Sequence, residues 1–206
     1  MKSFAALALA SSAFSQIIVN PNPSTGPDPS QVHISDVVYN GSGCPSGSVV
    51  PVLSEDAQTF TLLFSNLVAS TGPGTTITDT RKNCQINFNV HFPGGFSYSV
   101  GSVEYRGYVS VPAGITATQK ATYYFSGQSQ QVSSQVVFNK PTDQDYHAID
   151  TFDVGALVWS PCGTTVGANI NTQVRVTYNP NQAALMTIDS ADGHVAQVYS
   201  FNWKTC

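Results

Sequence analysis

"QINFNVHF" (residues 85–92) sets Ile86, Phe88, Val90 and Phe92 on one side and Gln85, Asn87, Asn89 and His91 on the other. Successive side chains of an extended chain point to opposite faces, so this period of two describes a strand with one face in a core and one in water. "GSVEYRGYVSV" (101–111) repeats the pattern, with Val103, Tyr105, Val109 and Val111 against Ser102, Glu104, Arg106 and Ser110. Gly107 interrupts its apolar row as a bulge or a close-packing point does. Similar rows run through "TQVRVTYN" (172–179) and "HVAQVYSFNW" (194–203), and shorter strand candidates are "QVHISDVVY", "QTFTLLF", "ATYYFS", "SQVVFNK", "YHAIDTF" and "GALVWS".

Turn formers separate these runs: "NGSGCPSGS" (40–48), "TGPG" (71–74), "FPGG" (92–95), "VPAG" (111–114), "SPCG" (160–163) and "YNPN" (178–181). In "DAQTFTLLFSNLVAS" (56–70), Phe60, Leu63, Phe64 and Leu67 recur at helical spacing, but the β-branched and aromatic content favours a strand followed by a turn. Short strands at this spacing predict an all-β fold, a single-domain antiparallel β-sandwich of jelly-roll-like kind, over residues 31–206.

The chain begins with Lys2 and the apolar run "FAALALASSAF", too short to span a bilayer and of the length of a signal-peptide core. Residues 1–15 are therefore expected to be a signal peptide, cleaved after Ser15 in preference to Ala13. Four prolines (21, 23, 27 and 29) make residues 16–30 an extended leader. No later stretch is apolar enough for a membrane span. Without Lys2, seven basic residues face twelve acidic ones, a formal charge of −5. Phosphate backbones are bound by clustered Lys and Arg, and Arg81-Lys82 is the only adjacent basic pair, so nucleic acid is not an expected partner.

Cys44, Cys84, Cys162 and Cys206 are an even set with no CxxC, which in an exported chain favours two disulfides over a metal site or a thiol nucleophile. Three pairings are open. The near-equal separations of 40 and 44 residues favour Cys44–Cys84 with Cys162–Cys206. Asn40 opens the "NGS" sequon, a glycosylation candidate on a turn expected to face solvent.

Several ordered segments together, "ISDVVYNGSGCPSGSV" (34–49), "TGPG", "RKNCQINFNVHFPGGFSYSVGSVEYRGYVSVPAG" (81–114), "ATYYFSGQ" (121–128), "VWSPCG" (158–163) and the terminal "WKTC", resemble the secreted fungal and bacterial family of domain of unknown function 4360. The resemblance covers nearly the whole chain after the leader. It implies a compact exported protein with this four-cysteine frame, and it lends no activity or catalytic residue.

Function has to come from the site chemistry. No GxSxG elbow, HExxH, Walker loop or Rossmann glycine fingerprint is present, and no cofactor is expected. A glycosidase needs two carboxyls flanking the sugar bond, and the chain has two glutamates, Glu55 and Glu104. Glu104, with Asp145 or Asp150, is the candidate catalytic pair of a secreted hydrolase; the plainer account is an ion pair with Arg106 on a wet sheet. In "DQDYHAIDTFD" (143–153), Asp143, Asp145 and His147 share one face of an extended chain, a candidate metal set. The plainer account there is an acidic edge strand that resists sheet-to-sheet association. His33, His91 and His194 sit in separate polar rows. The polar rows hold Asn, Gln, Ser and Thr rather than Lys and Glu, which with aromatic rings suits a neutral polysaccharide. Tyr105, Arg106, Tyr108, Tyr123 and Tyr124 are the candidate ligand contacts. The expectation is a secreted binding protein, its partner a cell-wall polysaccharide or an extracellular protein, with a hydrolase and a structural wall protein as alternatives; the oligomeric state is left open.

Overall fold

The computed structural model describes residues 26–163, 165–188 and 196–206. The expected signal peptide, most of the leader and His194 lie outside the described residues. Pro29–Gln31 form a 3₁₀ turn capped by the Asp28 side chain, which accepts the Ser30 N–H at 3.0 Å. The chain then builds β1 (His33–Asn40), β2 (Val49–Leu53), β3 (Thr59–Phe64), β4 (Val68–Thr71), β5 (Arg81–His91), β6 (Phe96–Val111), β7 (Ala117–Phe125), β8 (Gln131–Phe138), β9 (Thr142–Thr151), β10 (Val166–Val176), β11 (Ala184–Thr187) and β12 (Ala196–Thr205).

These strands form two antiparallel sheets that pack face to face. The first has the order β1-β5-β10-β7-β8. In the second, β2, β3 and β12 lead to β6, β4 joins through β11, and β9 closes the far edge against β6. At 16 residues β6 is the longest strand. One of its edges is shared by β12, along Phe96–Tyr105, and β11, along Tyr108–Ser110, while β9 runs along Ser102–Val111 of the other.

The period of two decides which side chains enter. On β5 the buried row is Cys84, Ile86, Phe88 and Val90, and on β7 it is Ala117, Gln119, Ala121, Tyr123 and Phe125. One core cluster joins the sheets. Its lower half is aromatic: Tyr98 meets Phe125 edge-on at 5.2 Å between centroids and also touches Phe92, Phe201 and Trp203. Its upper half carries polar groups, several of which bond one another across the sandwich. Gln197 Nε2 donates to Thr172 Oγ1 at 2.6 Å, Tyr199 Oη donates to Gln197 Oε1, and Tyr146 Oη donates to Gln119 Oε1.

Disulfides join Cys44 to Cys84 and Cys162 to Cys206, the sequential pairing. The first pins the "NGSGCPSGS" corner to β5, where Gly43 N–H also donates to Asn83 O at 2.9 Å. The second ties the end of β12 to the loop before β10, beside the bond from Cys206 N–H to Gly95 O. On the chain-entropy model, closing loops of this size stabilises by about 4 kcal/mol each.

The structure refines the strand assignments in three places. "DAQTFTLLFSNLVAS" is β3, a turn and β4, as its composition favours. "GALVWS" is no strand: Val154–Ala156 form a 3₁₀ turn, and Trp159–Ser160 run beside the start of β6. Ser160 Oγ accepts the Tyr98 N–H at 3.0 Å, so a side chain occupies the donor that a ladder would use. Gly107 is a close-packing point and not a bulge, which falls instead where β12 shifts register at Ser200/Phe201, opposite Val100–Ser102. A Cβ at Gly107 would stand 2.1 Å from Thr187 O and 2.7 Å from Tyr146 Oη. Gly107→Ala should therefore lower the unfolding free energy by about 3 kcal/mol through overpacking; an unchanged urea midpoint would refute this close approach.

Candidate functional site

Strand parity sorts the sequence candidates onto three different surfaces. Tyr105 and Tyr123 are 1% and 4% exposed, so these two proposed sugar platforms are core residues, in phase with Val103 and Phe125. Tyr123 Oη donates to Val100 O at 2.9 Å. Tyr108 and Arg106 lie on the outer face of the β6 sheet, and Tyr124 lies on the outer face of the β5 sheet.

On the β6 side, Glu104 sits between a guanidinium and an imidazole. Its carboxylate pairs with Arg106 on the same strand and lies 2.8 Å from His147 Nε2 on β9, in the register that sets Arg106 opposite His147. Tyr108 Oη donates to Asp143, and that bond, first among the causes, raises the phenol's pKa. Asp145 is opposite Tyr108 in register, whereas Glu104 is opposite Ile149. Four residues of strand, roughly 13 Å of backbone, therefore separate Asp145 from the position opposite Glu104. Asp150, opposite Val103, belongs to the other face. Among the described residues no three His, Cys, Asp or Glu side chains gather to hold a metal ion, and Asp143 and His147 turn to Tyr108 and Glu104 respectively. β9 is an edge strand with Asp143, Asp145 and His147 exposed.

The outer face of the β5 sheet is chemically different. Register places Asn87 beside Asn169 beside Tyr124 beside Gln131, and Gln85 beside Asn171 beside Thr122 beside Ser133. Asn87 Nδ2 donates to Asn169 Oδ1 at 3.1 Å, Asn171 Nδ2 to Gln85 Oε1 at 2.9 Å and Asn169 Nδ2 to Ser126 Oγ at 3.0 Å. Each amide fixes its neighbour's orientation, and an amide has donor and acceptor capacity left for a ligand. At the β1 edge, His33 and His91 pair across the strands with rings stacked at 4.4 Å, and the Asp36 carboxyl is held below its ordinary pKa first by Asn89 and then by Ser35. Asn40 is exposed on that edge, opposite Gln85.

Beyond Tyr124 the β7–β8 turn opens into a groove of about 490 Å³ lined by Gly127, Gln128, Ser129, Gln130, Leu157 and Trp159. Gln128 Nε2 donates to Trp159 O at 3.2 Å, tying the turn to the loop, and Lys204 Nζ sits 4.2 Å from the centroid of the Trp159 ring. Sequence reading missed Trp159 because its segment has no periodicity of its own. The signal it did carry was a tryptophan beside a cysteine and turn formers.

Fold and site together define a disulfide-stapled β-sandwich with one amide-rich face and an indole-walled groove at its end. The chain belongs to the DUF4360 family, domain of unknown function, whose model matches residues 30–206. An uncharacterized secreted protein of Arthroderma benhamiae is 46% identical over 181 residues, covering 87% of this chain and 74% of that protein. The protein is accordingly secreted and extracellular, in agreement with its two disulfides. Among solved structures, a bacteriophage CBA120 tailspike enzymatically active domain gives a TM-score of 0.20 at 14% identity, covering 89% of this chain and 21% of its own. An alpha-xylosidase from Xanthomonas citri gives 0.20 at 10% identity, covering 82% and 20%. This chain spans about a fifth of either protein, and neither likeness carries an argument about activity.

The buried phenols make a pH test. Burial raises the pKa of Tyr98, Tyr105, Tyr123, Tyr146 and Tyr199, whereas an unfolded tyrosine ionises near 10. Their neutral form is favoured by the fold, so this contribution is whole below pH 10 and is lost as pH rises through the folded values. Alkaline titration should release tyrosinate absorbance in two stages, the five buried rings appearing only with cooperative unfolding. A single stage near pH 10 with the fold intact would contradict the burial.

Proposed function

We propose that this protein is a non-catalytic binding module that holds polysaccharide at a cell wall or host surface, using the outer face of the β5 sheet and the Trp159 groove. The observation that carries the reading is the amide face itself: ordered rows of Asn, Gln, Thr and Ser ending at Tyr124 and an indole. Sugar hydroxyls both donate and accept, so an uncharged lattice of oriented amides meets them without desolvating an ion. Aromatic rings at the end of the rows offer stacking surface for the apolar face of a sugar ring. Asn40, on the rim of this face, is the proposed N-glycan acceptor.

The hydrolase alternative built on Glu104 has less support. Its carboxylate is engaged by Arg106 and His147, and Asp150 lies on the other face of the sheet.

The test is retention of the oxidised protein on insoluble β-glucan, chitin and cellulose, with soluble sugar assayed. Saturable retention without sugar release is expected, weakened roughly tenfold by Tyr124→Ala or Trp159→Ala and unchanged by Glu104→Gln. Sugar release that Glu104→Gln abolishes would replace the binding reading with the hydrolase. Resistance to extraction without saturable binding would instead favour a structural wall protein.

A further inference from the structure

The far end of the amide face carries positive charge that, among the described residues, has no ion-pair partner. Arg81 on β5 and Arg175 on β10 stand directly opposite one another in the antiparallel register. Like charges so placed repel, and a sheet ordinarily avoids the pairing or answers it with a carboxylate. Here no answer is present: among the described residues neither guanidinium forms an ion pair, in a chain whose acidic residues outnumber its basic ones. The acid nearest in sequence, Asp79, is taken by Lys82 at 3.2 Å and by the Thr76 N–H at 3.0 Å. Lys120, opposite Gln173 on β7, adds a third cation to the same face.

The arginines are also shaped for a ligand. Arg81 Nε donates to Gln173 Oε1 at 2.9 Å, which orients the guanidinium and leaves its terminal N–H groups unengaged among the described residues. Arg81 and Arg175 line a depression of about 350 Å³ with Ile77, Thr80, Val176 and Tyr178. Ile77 is 66% and Tyr178 42% exposed, apolar surface beside a cationic pair. A planar carboxylate matches a guanidinium fork with two parallel hydrogen bonds, and the adjoining apolar wall suits the ring that bears it. Along β10 the pair lies six residues from Asn169, roughly 20 Å at strand spacing, at the end of the face opposite the Trp159 groove.

We propose that the Arg81–Arg175 pair is a carboxylate-binding site, and that the polysaccharide held by this face is one bearing uronic-acid units. The inference rests on the polysaccharide reading and narrows it to an acidic polymer, with neutral hydroxyls read by the amide rows and the acid by the arginines. It also gives the bound chain a direction, since the charged end of the face is distinct from the indole end.

The probes are polygalacturonate, the same polymer after carboxyl reduction, and polyglutamate, each titrated against the oxidised protein at low and moderate salt. Polygalacturonate should bind more tightly than its reduced form. Arg81→Gln with Arg175→Gln should remove that preference, at roughly tenfold per arginine, while leaving the residual affinity for the reduced polymer intact. Arg81→Lys with Arg175→Lys keeps the charge and should recover only part of the loss, because the fork is gone. Equal affinity for the polymer and its reduced form, or an unchanged preference in the glutamine double variant, overturns the site. Polyglutamate binding as tightly as polygalacturonate overturns the sugar assignment in favour of an acidic protein partner. If polygalacturonate binding depends on the arginines but not on Tyr124 or Trp159, the amide-face reading fails while the carboxylate site stands.

Discussion

The pairing of β6 along both of its edges organises the molecule. With β12 and β11 on one side and β9 on the other, its backbone donors and acceptors are used by three strands that are distant in sequence. That arrangement fixes the parity of all four strands at once, because a slip of one residue would turn every core side chain outward. Gly107 is where the constraint is tightest: Tyr146 crosses over it to reach Gln119 and Thr187, bonding the β9 edge to the opposite sheet. Without a side chain at 107, Tyr146 can reach Gln119 Oε1 and Thr187 O across the upper core.

The same parity divides the two outer faces into unlike surfaces. On the β6 side the carboxylates are already engaged: Glu104 by Arg106 and His147, and Asp143 by Tyr108. Exposed pairs of this kind contribute little to stability, and their value on an edge is to keep β9 from pairing with another sheet. On the β5 side, amides are met by amides, and the cations at one end have no counter-charge among the described residues. This oriented and incompletely used polar surface is the one the proposed ligand would contact.

Much of this was legible in the sequence, and the failures have identifiable causes. The alternation of "QINFNVHF" specified β5 with the correct face inward, and the cysteine separations favoured the pairing observed. Tyr105 was misassigned although its own row placed it with Val103 and Val109; aromatic chemistry suggested a platform where period suggested a core, and period was right. Tyr123 and Tyr124 are adjacent, so one of them had to be inside. β2 and β11 escaped because they are short, and β2 carries Pro51, which an edge strand tolerates. The His33–His91 stack and the Arg81–Arg175 pair depend on register between strands far apart in the chain, which no local pattern encodes.

The strand order of the β6 sheet also sets the order of assembly. β3 and β6 are both made well before β12, yet they become neighbours only through it. Until β12 is inserted, two hydrophobic strand edges stand open, and the contacts that close them are among the most distant in sequence. Such topologies fold slowly and are vulnerable to misassociation in the interval. A chain emerging from a translocon therefore cannot complete this sheet piece by piece, because its β3 and β6 halves wait for β12.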